Sequence, residues 1–413
     1  MKVFSGIILL LALLVAPEAN NVLPSAAQGD AGNIAIAGSD GNLYVYEVAS
    51  GKTTSLTSDA VPGIKQYSWP TWSTDGQMAY FGVDLTRESD PYRLGIFVQP
   101  AGSSEAELVY SALDETFTYA YWSPADCAAG DCRDLAVLYT GRNGLALRRV
   151  RVADEVMISE LGTGGPFYWD WSPDGQSMLW ARNGNSLEIY DIMAETVVTH
   201  LPDIPGLERA IDWSPVDDRL LAAVRVSPQR SDLTVFDDAA RQVIAPGLRG
   251  VVSFEWSPDG SQVAYVAGDA ALHVVNVADQ TEVTTPIEDT LAFFWSPDGS
   301  RIAYLSRVRT PGGTLAKPAR QVELRLQWST LDVATDRTTG LSAFLPSEDM
   351  LYYLNFYDQF ARSHRLWSPD SRYLVYGEVL ADGGPVVTLL DTQTPSQTPV
   401  KLMDGSIGIF SWD

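Results

Sequence analysis

The chain has 413 residues, 46% of them hydrophobic and 19% charged, a balance that describes a globular protein rather than a disordered one. Its formal net charge of −24 excludes a general nucleic-acid binder, whose affinity needs a basic surface facing the phosphates, and argues equally against adsorption to anionic lipid.

The N-terminus opens Met1-Lys2-Val3 and continues through an apolar stretch from Ile7 to Ala16. That stretch is too short for a bilayer core, which needs roughly 20 residues. A charged start, a short apolar run and a later small-residue site form the signal-peptide pattern. The best cleavage site is Ser25-Ala26-Ala27, leaving Gln28 first. Residues 1–27 are therefore expected to be a signal peptide and 28–413 the mature domain, exported to the periplasm or outside the cell with no membrane span after processing. Cys127 and Cys132, the only cysteines, flank Ala-Ala-Gly-Asp. In an exported chain this pair reads as a local disulfide. A metal site would need two more ligands, and no His or Cys lies nearby in sequence.

Beyond the N-terminus the chain repeats itself. Trp-Ser-Pro-Asp-Gly occurs at Trp171, Trp256 and Trp295, with close variants at Trp72, Trp122, Trp213 and Trp367. Successive spacings are 50, 49, 42, 43, 39 and 72 residues, and Trp412 follows 45 residues later. Each unit carries four short β-runs. An aromatic-rich run leads into the Trp, and Ser-Pro-Asp-Gly supplies the reversal, because Pro presets φ while Asp and Gly suit a tight turn. A second run follows (Val263–Val266, Ile302–Leu305), then an alternating third (Leu187–Tyr190, Leu272–Val275) and a short fourth (Thr53–Leu56). Four strands about every 45 residues are the signature of propeller blades.

The two ends complete each other. Residues 33–58 hold second, third and fourth runs but no first run and no Trp, whereas Ile407–Trp412 is a first run with nothing after it. Sharing one blade between the termini would remove an open sheet edge. The expected fold is all-β: an eight-bladed β-propeller of four-stranded antiparallel blades, with seven blades as the alternative count if the irregular stretch between Trp295 and Trp367 is read differently.

At the Trp-Ser-Pro-Asp-Gly turns the chain resembles the TolB-type β-propeller family, and the same repeat marks the propellers of tricorn-like and prolyl-oligopeptidase-like peptidases. The resemblance covers essentially residues 33–413. It departs from TolB itself, whose N-terminal α/β domain and six blades have no counterpart here. The resemblance implies a rigid ring that presents loops to a partner.

Catalytic signals are sparse. No Gly-x-Ser-x-Gly elbow exists, the sialidase-type Asp box is absent, and His200, His273 and His364 are too scattered for a triad or metal site. Asp170, Asp212 and Glu255 each precede the repeat Trp in three consecutive units. They could ring the channel and bind a cation, although satisfying nearby backbone is the plainer role. No cofactor and no metal are expected, and the residues lean away from an enzyme. A glycan hydrolase or lyase using carboxylates at the channel mouth is the alternative, as is a structural subunit of an envelope complex.

Propeller geometry places the Ser-Pro-Asp-Gly turns on one face, which collects Asp75, Asp126, Asp174, Asp217, Asp259, Asp298 and Asp370 beside the Cys127–Cys132 loop. The other face gathers Arg residues on loops between second and third strands, among them Arg142, Arg182, Arg307, Arg309 and Arg320. There too lies the enlarged, aromatic connection Glu348–Arg362, which continues to Ser363-His364-Arg365. Arg captures carboxylates and phosphates bidentately, and aromatics with Arg are favoured at binding hot spots. The expected site is thus Arg307, Arg309, Arg320, Tyr353, Phe356, Tyr357, Asp358, Arg362, His364, Arg365, Arg142 and Arg182. The expected ligand is an envelope protein segment or an anionic polysaccharide, bound by a monomer or by a subunit of a larger assembly. The aromatics of 348–362 could equally plug the channel.

Overall fold

The computed structural model describes residues 31–412, apart from 86–92, 129, 142–143, 208–209, 239, 286–288, 309–324 and 382. The expected signal segment and three of the expected site residues, Arg142, Arg309 and Arg320, lie outside the described residues.

The strands follow the repeat. In the Trp171 unit, Phe167–Trp171, Ser177–Arg182, Ser186–Asp191 and Thr196–Leu201 pair in that order, each antiparallel to the next. Burial falls from the inner strands outward. Met178–Ala181 are all buried, whereas Lys52–Ser55, a fourth strand, is exposed along its whole length. The inner strands carry β-branched and aromatic residues on both faces because each blade is sandwiched between neighbours. Trp180, Trp328, Tyr304 and Tyr376 are each at most 1% exposed. Every fully buried side chain of this size contributes about 1.5–3 kcal/mol of apolar transfer.

The turns are built as their residue types require. In the Trp171 unit the Ser172 hydroxyl donates to Asp174 at 2.6 Å, and the Ser172 carbonyl accepts from the N–H of Gly175 at 2.9 Å. Gly260 has φ of +67°, and a Cβ there would lie 2.6 Å from Val216 Cγ2 of the neighbouring unit. Glycine there serves the turn and the packing between units together.

The repeat tryptophans stitch the ring. Trp122, Trp171, Trp295 and Trp367 donate their indole N–H groups to the carbonyls of Thr71, Tyr121, Glu255 and Phe294, at 3.2, 3.2, 3.4 and 3.0 Å. Each acceptor immediately precedes a Trp in another unit, so one signature residue fastens neighbouring units together. Cys127 and Cys132 form a disulfide with Cα atoms 5.5 Å apart.

Among the described residues the strands form seven sheets, which corrects the expectation of eight blades. Six sheets have four strands; the seventh has six, in the order Tyr373–Val379, Pro385–Asp391, Val400–Phe410, Asn33–Gly38, Leu43–Glu47, Lys52–Ser55. The physical reason is the strand Val400–Phe410. Its first half pairs with Pro385–Asp391 (Val387 opposite Met403) and its second half with Asn33–Gly38 (Ile34 opposite Phe410). One unbroken strand therefore joins what the repeat arithmetic counts as two blades. It also closes the ring by pairing the C-terminal strand with the N-terminal one.

The stretch 348–363 is not an irregular connection but two short helices, α1 (Glu348–Asn355) and α2 (Tyr357–Ser363). Ser347 caps α1 by accepting from the N–H of Met350 at 3.1 Å, with Glu348 and Asp349 in the first turn. These are the residues that satisfy orphan N–H groups and the helix dipole. Met350, Tyr353, Tyr357, Phe360 and His364 recur every three or four residues and are all buried.

Candidate binding site at the channel mouth

The two helices occupy the centre of the ring. The carbonyl of Gln359 accepts from the Tyr119 hydroxyl at 2.6 Å, and that of Ser363 from Thr71 Oγ1 at 2.8 Å. Phe360 packs 5.0 Å from the Trp69 ring and 5.1 Å from Tyr119. Tyr353 and Tyr357 lie against Phe294, at 6.0 and 5.8 Å. His364 is fully buried among Trp69, Tyr119 and Phe360, and burial pushes its imidazole down to about 3, so it is neutral. Most of the expected aromatic cluster, with Asp358 also buried, therefore forms a plug. Of the site aromatics only Phe356 presents a large exposed surface, at 40%.

Arg307 and Arg182, described but outside the plug, do not converge on one site. Arg307 is exposed at the end of the strand Arg301–Arg307. Arg182 is engaged within its own blade, donating from Nε to Glu188 at 2.8 Å over the face of Trp180. His273, read as a strand residue, is buried and stacks on Tyr265 at 4.6 Å.

Arg362 and Arg365 behave differently, because they reach the opposite end of the channel, on the face of the Ser-Pro-Asp-Gly turns. A cavity of about 370 Å³ opens there. Its walls alternate repeat tryptophans with turn prolines (Trp171, Trp213, Trp256 and Trp295 with Pro173, Pro215, Pro258 and Pro297), and its floor carries Asp170, Asp212, Glu255, Arg362 and Arg365. The walls are apolar but offer no broad ring face: those four tryptophans are 3–7% exposed.

The repeat itself dictates the floor. A residue just before the Trp on the innermost strand points to the channel axis, and three consecutive units place an acid there. Asp170 Oδ2 accepts from the N–H of Trp213 at 2.8 Å and Asp212 Oδ2 from that of Trp256 at 2.9 Å. Glu255 repeats the pattern towards the N–H of Trp295. These acids therefore both satisfy backbone in the next unit and line the cavity. Arg362 lies between two of them, with Nη1 3.3 Å from Asp170 and Nη2 3.5 Å from Asp212. Its Nε and Nη2, like Asp170 Oδ1, are buried without a hydrogen bond among the described residues.

Burial raises the carboxyl of Asp170, and that of Asp212 well above the usual range, against the pull of the Arg362 guanidinium. Burial likewise pushes Glu255 up to about 7, with Arg362 and Arg365 opposing. Burial disfavours the charge on Arg362 as well, but Asp170 and Asp212 outweigh it and hold the guanidinium charged. For Arg365 burial outweighs the support of Tyr121 and Glu255 and takes it down to about 10. Its guanidinium stacks 3.4 Å from the Trp412 ring centroid and makes no hydrogen bond or ion pair with a described residue.

The sequence places these acids correctly but assigns the site to the other face, because it treats the 348–365 segment as a loop. A helix through the ring carries Arg362 and Arg365 across the channel. The 3-4-3-4 spacing of Met350, Tyr353, Tyr357, Phe360 and His364 is the signal that reveals it. Among the described residues no cluster of three His, Cys, Asp or Glu side chains could hold a metal ion, and no helix is long and apolar enough to cross a membrane.

Ring, inter-blade stitching and axial cavity define a β-propeller. No family model matches the chain, and no curated protein matches it. Among solved structures it is similar to a eukaryotic initiation factor, at 10% identity and TM-score 0.53, over 92% of this chain and 98% of that one. It is also similar to the β-propeller domain of the trilobed protease from Pyrococcus furiosus (11%, TM-score 0.48, 83% and 99%). Against Porphyromonas gingivalis dipeptidyl peptidase 4 (10%, TM-score 0.47) it matches over 65% of its own length and spans about half of that enzyme, 48%. At these identities the likeness concerns the fold alone.

Proposed function

We propose that the chain is an exported propeller of the TolB type that binds a carboxylate-bearing ligand in the cavity at the channel mouth. The observation that carries this reading is Arg365. A guanidinium held on the Trp412 face within an apolar-walled cavity, with no hydrogen bond or ion pair to a described residue, is the arrangement that recognises a carboxylate from a ligand. A cavity of about 370 Å³ falls within the size range of small-molecule sites, roughly 300–1,000 Å³. The ring and its plug hold the floor rigid, so little ordering entropy is lost on binding. The ligand could be the end of an envelope protein segment or of an anionic polysaccharide. Export rests on the N-terminal pattern and on the disulfide, which suits an oxidising compartment.

Titration calorimetry of oligogalacturonates and of peptides with free C-termini, on the wild type and on Arg365→Gln, tests the reading. Binding weakened at least tenfold by the substitution supports it; undiminished affinity refutes it. A second reading, carboxylate catalysis on a glycan, is favoured by the raised carboxyls of Asp212 and Glu255 in one cleft, since such shifts gather at active sites. Release of new reducing ends or of unsaturated sugars, abolished by Asp212→Asn, would establish it instead.

A further inference from the structure

The floor of the cavity makes a more specific demand than a carboxylate alone. Five charged side chains line it, and three of them are committed to one another: Arg362 sits between Asp170 and Asp212, whose carboxylates also accept the N–H groups of Trp213 and Trp256. Two remain. The Arg365 guanidinium has no hydrogen bond or ion pair with a described residue, and Glu255 has no ion pair with one, although each lies within the other's electrostatic reach. Both keep part of their surface open to the cavity. The uncommitted groups are thus one cation and one acid, and neither neutralises the other by direct contact.

Each is costly to leave as it is, since a largely buried ionised group loses hydration without compensation from a paired counter-charge. A ligand offering only an anion would satisfy Arg365 and place a second negative group near Glu255. A ligand offering only a cation would satisfy Glu255 and oppose Arg365. A ligand carrying both satisfies both. The walls add a further restriction, because the wall tryptophans are nearly buried and the faces of Trp256, Trp367 and Trp412 are covered by Arg219, Arg301 and Arg365. Those tryptophans offer a sugar ring no open face, whereas apolar walls suit a compact side chain.

We infer that the ligand is a small zwitterion on the scale of an amino acid or a dipeptide, its carboxylate on Arg365 and its protonated amine on Glu255. This rests on the cavity being the ligand site, as proposed above. It also predicts a proton balance. Glu255 is protonated in much of the unliganded population near neutrality, so seating an ammonium against it drives its proton into solution while the carboxylate stays to pair. The other titratable groups around Glu255 are Asp170, Asp212, Arg362, Arg365 and Tyr353, and Glu255→Gln separates its proton from theirs.

The test uses the 20 free L-amino acids and a dipeptide set as probes, against the same compounds N-acetylated or C-amidated. Calorimetry is run at pH 6.5 in two buffers of different ionisation enthalpy. The expected result is at least tenfold tighter binding of a free zwitterion than of either blocked form, with net proton release. Glu255→Gln should remove that release and the preference over the N-acetyl form, while Arg365→Gln removes the preference over the amide. Near-UV circular dichroism confirms that both variants are folded. If N-acetylated probes bind as well as free ones and still depend on Arg365, the zwitterion assignment is overturned while the cavity reading stands. If no free probe binds, the assignment is likewise overturned, and the oligogalacturonate and peptide titrations on Arg365→Gln then decide the cavity reading alone.

Discussion

Replacing Glu255 by Gln should stabilise the protein at neutral and alkaline pH and leave it almost unchanged in mild acid. The carboxyl ordinarily titrates near 4.5 and in the folded protein is pushed up to about 7 by burial. Between those two values the folded state holds a proton that the unfolded chain has released, so stability falls as pH rises from about 4.5 to 7 and is level above that. Each unit of difference is worth about 1.4 kcal/mol, so the full loss is roughly 3 kcal/mol, trimmed to about 2–3 kcal/mol by water entering the open mouth. Gln reproduces the protonated side chain and cannot ionise. The variant should therefore match the wild type near pH 4.5 and exceed it by about 2–3 kcal/mol at pH 8. Asp170, Asp212, Arg362, Arg365, Tyr121 and Tyr353 are common to both proteins, so subtracting one urea-unfolding series from the other across pH 4.5–8 isolates Glu255. A difference that stays constant across that range, or one that favours the wild type at pH 8, would refute the claim that this carboxyl is held in a desolvated cavity.

Three further outcomes follow from the packing. Arg362→Ala leaves Asp170 and Asp212 buried without their cation and should cost about 3–5 kcal/mol, read from the urea midpoint at pH 7. Ile409→Ala removes a fully buried side chain from the strand that closes the ring opposite Ala35. A loss of about 2–5 kcal/mol is expected, with faster proteolysis at the N-terminal strand. Replacing Cys127 and Cys132 together by Ser opens a short loop, and the chain-entropy relation puts the cost at about 2 kcal/mol. The same shift should appear in the wild type on adding a reductant.

What the sequence showed was what local chemistry controls. Trp-Ser-Pro-Asp-Gly is a turn whose hydrogen bonds lie within a few residues, so each copy could be read in isolation. The pairing of the two chain ends followed from one missing strand and one surplus strand. The sheet count did not follow, because whether Val400–Phe410 breaks into two strands or runs through is decided by its partners on both sides, Pro385–Asp391 and Asn33–Gly38. The helical form of the plug is hidden for a different reason: Met350 to His364 carries a helical period inside a chain whose other periods are those of strands. Reading that segment as a loop puts Arg362 and Arg365 with the other loop arginines, whereas the helices carry them to the cavity beside the turn prolines. The pairing of Arg182 is equally hidden, because its partner Glu188 lies across a hairpin turn, a contact that a list of loop charges does not register.

A ring of near-identical units would offer a symmetric channel, and a symmetric channel has no means of orienting an asymmetric ligand. This chain breaks the symmetry at one position of the repeat. The residue before the Trp is Thr71, Tyr121, Asp170, Asp212, Glu255, Phe294, Leu366 and Ser411 in turn, so the acids occupy one continuous arc and uncharged residues the rest. The cations come from outside the repeat, on and just beyond helix α2. Arg362 is drawn to the Asp170–Asp212 part of the arc, where two carboxylates can hold it. Arg365, three residues on, lies over Trp412 beyond the arc. The acid at the end of the arc, Glu255, and the cation beyond it are then left as the two ends of a dipole across the cavity floor. The signature residues make the ring, and the position beside them, acidic in only three consecutive units, gives the site its direction.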